Sequence, residues 1–235
     1  MTAEFDKHAQ AYDGGLDNPV KRMMGDSADQ FIAVKTRWLM RHEPKLKQGG
    51  LALLDYGCGA GDLMRVLALS GGRADFVGCD VSTGMLAEVA KRWPTALGTP
   101  PRTAPQDGAR TPFADASFDI VTISAVLHHV AVAERPAVYR ELARVLKPGG
   151  RLYVFEHNPR NPLVRYVIAR TPIDENAILL DAREVRHGLL DAARYELETD
   201  YLMFMPPGLG FLSPIDRALT WLPLGAQYVV AARKG

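Results

Sequence analysis

The chain is predicted to be an α/β protein: a mostly parallel sheet with helices on both faces and an antiparallel ending. Three observations predict it. Apolar runs of strand length alternate with helical patterns through most of the sequence, as strand–helix–strand units require. One of those runs, Leu51–Tyr56, breaks at once on glycines and turns straight into a helical stretch. Near the end, Leu197–Met205 and Gln227–Arg233 read as two strands joined by a Pro/Gly-rich connection, a pairing that gives an antiparallel close to a parallel sheet.

Taken in order, residues 1–45 are helical in pattern, anchored by Phe5, Tyr12, Phe31, Ile32, Val34, Trp38 and Leu39. Strands are expected at Leu51–Tyr56, Ala74–Asp80, Phe118–Ser124 and Gly150–Glu156. Helices are expected at Asp62–Ser70, Thr83–Trp93 and Arg135–Leu146, the last stopped by Pro148-Gly149-Gly150. Between Pro94 and Gly108 stand Pro94, Pro100, Pro101 and Pro105, so any strand there belongs at a sheet edge. Residues Asn158–Leu180 separate a strand from a helix over Asp181–Ala193, which opens with Asp181 and Glu184 in capping-box spacing. This gives one domain: an N-terminal helical lid (1–45), a binding core (46–157), a cap (158–180), and a closing helix and strand pair (181–235). Lid and cap would lie over the carboxyl ends of the strands, where open α/β sheets bind ligands. The plainer alternative is that they only cover one face of the core.

Bulk composition narrows the function. Of the 235 residues, 47% are apolar and 23% charged, ordinary proportions for a globular protein. A net charge of +1 argues against a nucleic-acid partner held by phosphate neutralisation. The two cysteines, Cys58 and Cys79, form no C-x-x-C or Cys/His pattern, so neither a disulfide framework nor a metal site is expected. The start, MTAEFDKHAQAYD, is too polar for a signal peptide, and no apolar run reaches the ~18 residues of a membrane span. A soluble cytoplasmic protein with a small-molecule substrate is the expectation; oligomeric state leaves no mark in the sequence.

The chemistry starts at LALLDYGCGAGD, where Gly57, Gly59 and Gly61 let the backbone approach a ligand closely. A dinucleotide fingerprint spaces its glycines G-x-G-x-x-G, but Asp62 occupies the third position and would repel a pyrophosphate. No phosphate-loop Lys-Ser or Lys-Thr follows. The loop suits an adenosyl ligand that carries positive charge and lacks phosphate. Asp62 itself reads equally as an attractive neighbour of that charge or as a helix N-terminal carboxylate. Asp80 ends the second strand at about the 20-residue spacing of a ribose-binding carboxylate. Asp107-Gly108 supports two readings, an acceptor for an adenine amino group and a common turn.

Four blocks in order, LLDYGCGAGDL, VGCDVSTGML, TPFADASFDIVTISAVLHHV and LARVLKPGGRLYVFEH, resemble the class I S-adenosylmethionine-dependent methyltransferases, closest to the small-molecule branch with quinone-type enzymes. The resemblance covers roughly residues 50–157. It implies a Rossmann-like seven-stranded sheet with its third strand at an edge. It also implies that Asp55, Gly57, Cys58, Gly59 and Gly61 hold the methionine end of S-adenosyl-L-methionine. Asp80, Val81 and Met85 would then hold the ribose side, Asp107 and Gly108 the adenine, and Ser124 would lie beside the sulfonium.

Methyl transfer needs a nucleophile brought in line with the methyl group and, for a hydroxyl, a base. His128 and His129 follow the fourth strand at the rim and are the candidate bases, His129 preferred; a packing role is the alternative. Glu156 and His157 either bind substrate or anchor the next segment. Tyr12 is a candidate to close over the ligands, or an ordinary aromatic staple. Arg160, Arg165 and Arg170 read as solvated surface arginines. The function expected is methyl transfer to a small-molecule acceptor, oxygen preferred over nitrogen or carbon, with S-adenosyl-L-homocysteine as product. The alternative is a non-catalytic sensor or accessory protein that binds either compound; a nicotinamide oxidoreductase is disfavoured by Asp62 and the glycine spacing.

Overall fold

The computed structural model describes residues 28–171, 174, 176–206 and 213–235. Its strands are β1 (Ala52–Tyr56), β2 (Asp75–Asp80), β3 (Arg102–Pro105), β4 (Phe118–Ser124), β5 (Leu146–His157), β6 (Tyr195–Leu202) and β7 (Gln227–Lys234). They form one sheet in the order β3-β2-β1-β4-β5-β7-β6. β3, β2, β1, β4 and β5 are parallel, whereas β7 runs antiparallel to both β5 and β6. From β1 the chain builds outward to β3, then returns to place β4 on the other side of β1. That reversal opens a crevice at the carboxyl ends of β1 and β4, the place where doubly wound sheets bind ligands.

The helices are α1 (Ala28–His42), α2 (Asp62–Leu69), α3 (Thr83–Arg92), α4 (Arg135–Val145), α5 (Pro162–Ile168), α6 (Ala182–Ala192) and α7 (Ser213–Ala218). Side chains alternate across a strand, so each central strand feeds two cores. Leu54, Val121, Val154 and Val230 pack with Val138 and Leu142 of α4 and Val185 and Leu189 of α6. Leu53, Ile120, Phe155 and Val229 face the other way, against Trp38 and Leu39 of α1 and Leu67 of α2. Trp38 meets Tyr153 and Phe155 edge-on, with centroids 5.6 and 5.9 Å away, and its indole N–H donates to Asp200 at 2.7 Å. The described part of the expected lid is thus also a core-covering helix. Phe5, Tyr12 and Phe211 lie outside the described residues.

β3 lies at the edge with largely exposed residues, as its prolines require. Three expectations shift. Leu146 already has extended backbone (φ −78°, ψ 132°), so α4 ends at Val145 and β5 begins four residues earlier than expected, with Pro148-Gly149-Gly150 inside the strand and not the stop of the helix. β6 starts two residues earlier than expected and stops at Leu202, because Met203 turns to φ 64°, a left-handed conformation that no strand continues through. The capping box at α6 is half made: Asp181 accepts from the Arg183 and Glu184 amides at 2.9 and 3.1 Å, while the Glu184 carboxylate turns to Arg135. Among the described residues no helix is long and apolar enough to cross a membrane.

Gly188 shows where packing overrides propensity. It sits inside α6, where alanine gains about 1 kcal/mol of helix propensity over glycine. A Cβ there would meet the Tyr139 ring at 2.2 Å, and Tyr139 is buried in the core. Overpacking of that kind costs about 1–3 kcal/mol. Gly188→Ala is therefore expected to lower the urea midpoint at unchanged slope; an unchanged or raised midpoint would show that the ring moves aside freely.

Candidate functional site

The crevice is built from the ends of β1, β2, β4 and β5 and the turns that leave them. After β1 the backbone folds back on β2: the amides of Gly57 and Cys58 both donate to the Cys79 carbonyl, at 2.8 and 2.9 Å. Gly57 adopts φ 70°, and a Cβ on it would lie 2.5 Å from a Val126 methyl. Gly59 adopts φ 52°, and a Cβ there would meet nothing within 4 Å among the described residues. The first glycine is needed for packing; the second leaves open space along bare backbone.

Asp80 holds this loop. Its Oδ2 accepts from the Gly59 amide at 2.8 Å, and its Oδ1 from the Ser82 amide at 2.9 Å. Ser82 in turn caps α3, accepting from the Met85 amide at 3.1 Å. Met85 is buried and Val81 half-buried beside them. Cys58 and Cys79 are free, buried thiols, both pushed upward in pKa by desolvation. Asp55, at the end of β1, is 2% exposed and accepts from the Thr122 hydroxyl at 2.7 Å. Burial raises its carboxyl to about 7.

Of the two readings of Asp62, the structure favours helix anchoring. Its carboxylate bonds Arg65 at 3.0 Å and Arg92 at 3.3 Å, which ties α2 to α3. Asp107 shapes the turn after β3: Oδ1 accepts from the Ala109 and Arg110 amides at 3.2 and 2.7 Å. Gly108 follows at φ 100°, and its carbonyl accepts from the Tyr56 hydroxyl at 2.9 Å.

At the other end of the crevice, the Lys35 ammonium of α1 donates to the Ser124 hydroxyl at 2.8 Å while only 7% of the residue is exposed. The Lys35 ammonium is also a charged neighbour of Asp55 and His157. Sequence reading missed Lys35. The only signal was one lysine among Phe31, Ile32, Val34 and Trp38 on an apolar helix.

Beyond Ser124 the chain turns through Ala125, at φ 58°, into a short 3-10 turn, Leu127–His129. Glu156, 1% exposed, organises it. One oxygen accepts from the Val126 and Leu127 amides at 3.0 and 2.7 Å, the other meets His128 Nδ1 at 2.6 Å. Burial alone would disfavour both charges, yet each outweighs it for the other: His128 rises to about 9 and Glu156 falls below the usual carboxylate range. His157 is half-buried; desolvation first, and then the neighbouring His128 cation, push it down to about 3, so it is neutral. Two expectations are corrected here. Glu156 is an anchor with three donors around it, and is not open to a substrate. His128 is 1% exposed, cationic and flanked by Glu156 and Asp174, so it is no proton acceptor. His129, 18% exposed, directs Nε2 at Asp174 Oδ1, 3.5 Å away. Asp174 was not singled out in the sequence.

The cap crosses this region. The Ile178 amide donates to the His128 carbonyl at 2.7 Å, and α5 borders a cleft of about 530 Å³ lined by Arg165, Tyr166, Ile168 and Asp174. The cap arginines are engaged locally: Arg160 pairs with Asp181 at 3.2 Å, and Arg170 lies 3.7 Å over the Tyr166 ring.

An acidic, glycine-lined crevice at the switch point of this sheet defines a class. Residues 54–154 match the Methyltransferase domain family. Its relatives make the kinship narrower. The chain is 44% identical over 157 residues to a demethylmenaquinone methyltransferase of Beutenbergia cavernae, covering 66% of this chain and 61% of that protein. A demethylmenaquinone methyltransferase of a Parafrankia species is 41% identical over 171 residues, covering 66% and 62%. The chain thus spans about three fifths of the length of these curated relatives. The fold is shared with a Thermotoga maritima methyltransferase described as a possible histamine N-methyltransferase (TM-score 0.70, 16% identity, all of both chains). It is shared too with the Synechocystis magnesium protoporphyrin IX methyltransferase solved with bound S-adenosylhomocysteine (TM-score 0.61, 20% identity, 88% and 83% covered).

Proposed function

We propose that the protein methylates a small, apolar ring acceptor of the quinone type, taken in its reduced, hydroxyl-bearing form. The observation that carries this reading is the pairing of two unlike ends in one crevice. At one end are bare backbone at Gly59 and the carboxylates of Asp80 and Asp55; at the other is the buried Lys35 ammonium on Ser124. The acidic end suits a cationic adenosyl ligand: Asp55 faces its ammonium and Asp80 its ribose hydroxyls, with Gly57–Gly61 along the methionine part. Cys58, Val81 and Met85 pack around it, and Asp107 with Gly108 borders the adenine. When bound, S-adenosylmethionine supplies an activated methyl group whose sulfur leaves as a neutral thioether.

Lys35 does the work at the acceptor. A cation within a few ångströms lowers the pKa of a phenolic hydroxyl by ~1–3 units, so the acceptor arrives closer to its anion. Such an anion is nucleophilic at its oxygen and at the adjacent ring carbon; oxygen is the site we favour. The neutral His157 and the Ser124 hydroxyl supply polar contacts without a competing charge. In this reading neither His128 nor His129 is a base. The test is transfer of labelled methyl from S-adenosylmethionine to reduced and oxidised naphthoquinones. Label found in the reduced acceptor supports it; label in neither, with S-adenosylhomocysteine still bound, would indicate a sensor. Lys35→Met is expected to lower turnover by roughly 10- to 1000-fold, as one to three pKa units imply, with homocysteine-product affinity changed far less.

Asp55 gives this site a pH signature. In the unliganded protein its neutral form is the favoured one. That contribution is complete below the unfolded value near ~4 and is lost as pH rises through about 7. A ligand ammonium prefers the carboxylate, so affinity for S-adenosylhomocysteine is expected to tighten as pH rises through the same range. Lys35, Asp80 and Asp62 are its charged neighbours, and Asp55→Asn is expected to flatten the dependence in calorimetric titrations.

A further inference from the structure

We infer that His128, His129 and Asp174 form a site for a zinc-class transition-metal ion. This stands apart from the methyl-transfer reading and does not depend on it. His128 Nε2 and His129 Nε2 each lie 3.5 Å from Asp174 Oδ1, and the three atoms lie within 4.8 Å of one another. Ligands held ~2.0–2.1 Å from a tetrahedral zinc stand about 3.3–3.4 Å apart, so two edges of the triangle already match to within a few tenths of an ångström. They are also longer than a well-formed hydrogen bond, whose separation is near ~2.9 Å. Two edges of the triangle have the dimensions of a coordination face, and the third is held within 4.8 Å.

The surroundings are those of a ligand-orienting shell. Metal-bound imidazoles commonly donate their other ring N–H to a carboxylate, which fixes the tautomer and aims the free nitrogen. His128 does this: Nδ1 meets Glu156 at 2.6 Å, and Glu156 is itself fixed by the Val126 and Leu127 amides; the Nε2 proton that His128 carries in the metal-free chain leaves when the ion binds. The tight turn Leu127–His129 brings neighbouring imidazoles together, with centroids 4.1 Å apart. Asp174 arrives from the cap, whose Ile178 amide is tied to the His128 carbonyl.

Access and ligand type narrow the ion. His128 and Asp174 are buried, His129 is 18% exposed on its side chain, and Asp174 also lines the cleft beside α5, which gives a route in. Two imidazoles and one carboxylate suit zinc, cobalt or ferrous iron far better than calcium or magnesium. Three protein ligands leave a fourth position for water or an acceptor oxygen. Bound there, the ion fastens the cap to the ends of β4 and β5. No metal pattern stands out in the sequence because two ligands are adjacent and the third lies far along the chain.

Cobalt is the probe, because tetrahedral Co²⁺ absorbs strongly in the visible. The full chain, stripped with chelator, is titrated with Co²⁺ alone and then with Zn²⁺. The expected result is one equivalent bound with tetrahedral bands, displacement by zinc, and a rise in Tm. His129→Gln and Asp174→Asn, the two ligands at the cap side, are each expected to weaken binding at least tenfold, with circular dichroism confirming that both fold. Absence of saturable cobalt binding in the folded wild-type chain, or equal affinity in the folded variants, would overturn the assignment.

Discussion

Replacing Asp80 by alanine is expected to weaken S-adenosylhomocysteine binding by about 2–3 kcal/mol, roughly 30- to 150-fold. The effect exceeds one lost ribose contact because the carboxylate has two duties in the unliganded chain. Its oxygens fix the Gly59 amide at 2.8 Å and the Ser82 amide at 2.9 Å, so the substitution also releases the glycine loop and the start of α3. Asp80→Asn keeps one acceptor oxygen and is expected to fall between the two. Titration calorimetry separates the cases. Affinity within twofold of wild type for the alanine variant would remove Asp80 from the ribose.

Glu156→Ala is expected to cost about 3–5 kcal/mol of folding stability, because it takes the nearer carboxylate from the buried His128 cation and leaves only Asp174, 3.5 Å away. It also strips the Val126 and Leu127 amides of their acceptor. Against a typical total of about 5–15 kcal/mol this is a large fraction, equivalent to a fall in Tm of about 10 °C or more. Glu156→Gln preserves an acceptor oxygen and removes only the charge, so it is expected to be milder. A loss below about 1 kcal/mol for the alanine variant would mean that the ion pair does not hold the turn.

The elements legible in the sequence were those with strong local patterns. Parallel strands buried on both faces read as short apolar runs, and β1, β2 and β4 were placed within a residue or two. The edge position of β3 followed from its prolines. Less legible was β6, whose alternating Glu196, Glu198 and Asp200 present a half-polar face, and whose end is set by the backbone of Met203. In the site, the loop from Gly57 to Gly61 and Asp80 stood out because their spacing is local. Lys35 did not, since Ser124 lies 89 residues away and only the fold brings them together. Arg92, a helix away, decides between the two readings of Asp62, and the turn that the fold packs on Glu156 decides between substrate binding and anchoring there. Spacing reveals groups that act on one ligand from neighbouring positions. It says little about which charges neutralise one another across the sheet.

The strand order sets a sequence of events in synthesis. β6 precedes β7 in the chain, yet its neighbour in the sheet is β7, which lies between it and β5. As the polypeptide leaves the ribosome, β1 to β5 can zip together while β6 has nothing to pair with. Until Gln227–Lys234 emerges, the flank of β5 carrying Tyr153, Val154 and Phe155 stays an open template for a second nascent chain. The interval between those two strands is the window in which a holdase would be of most use.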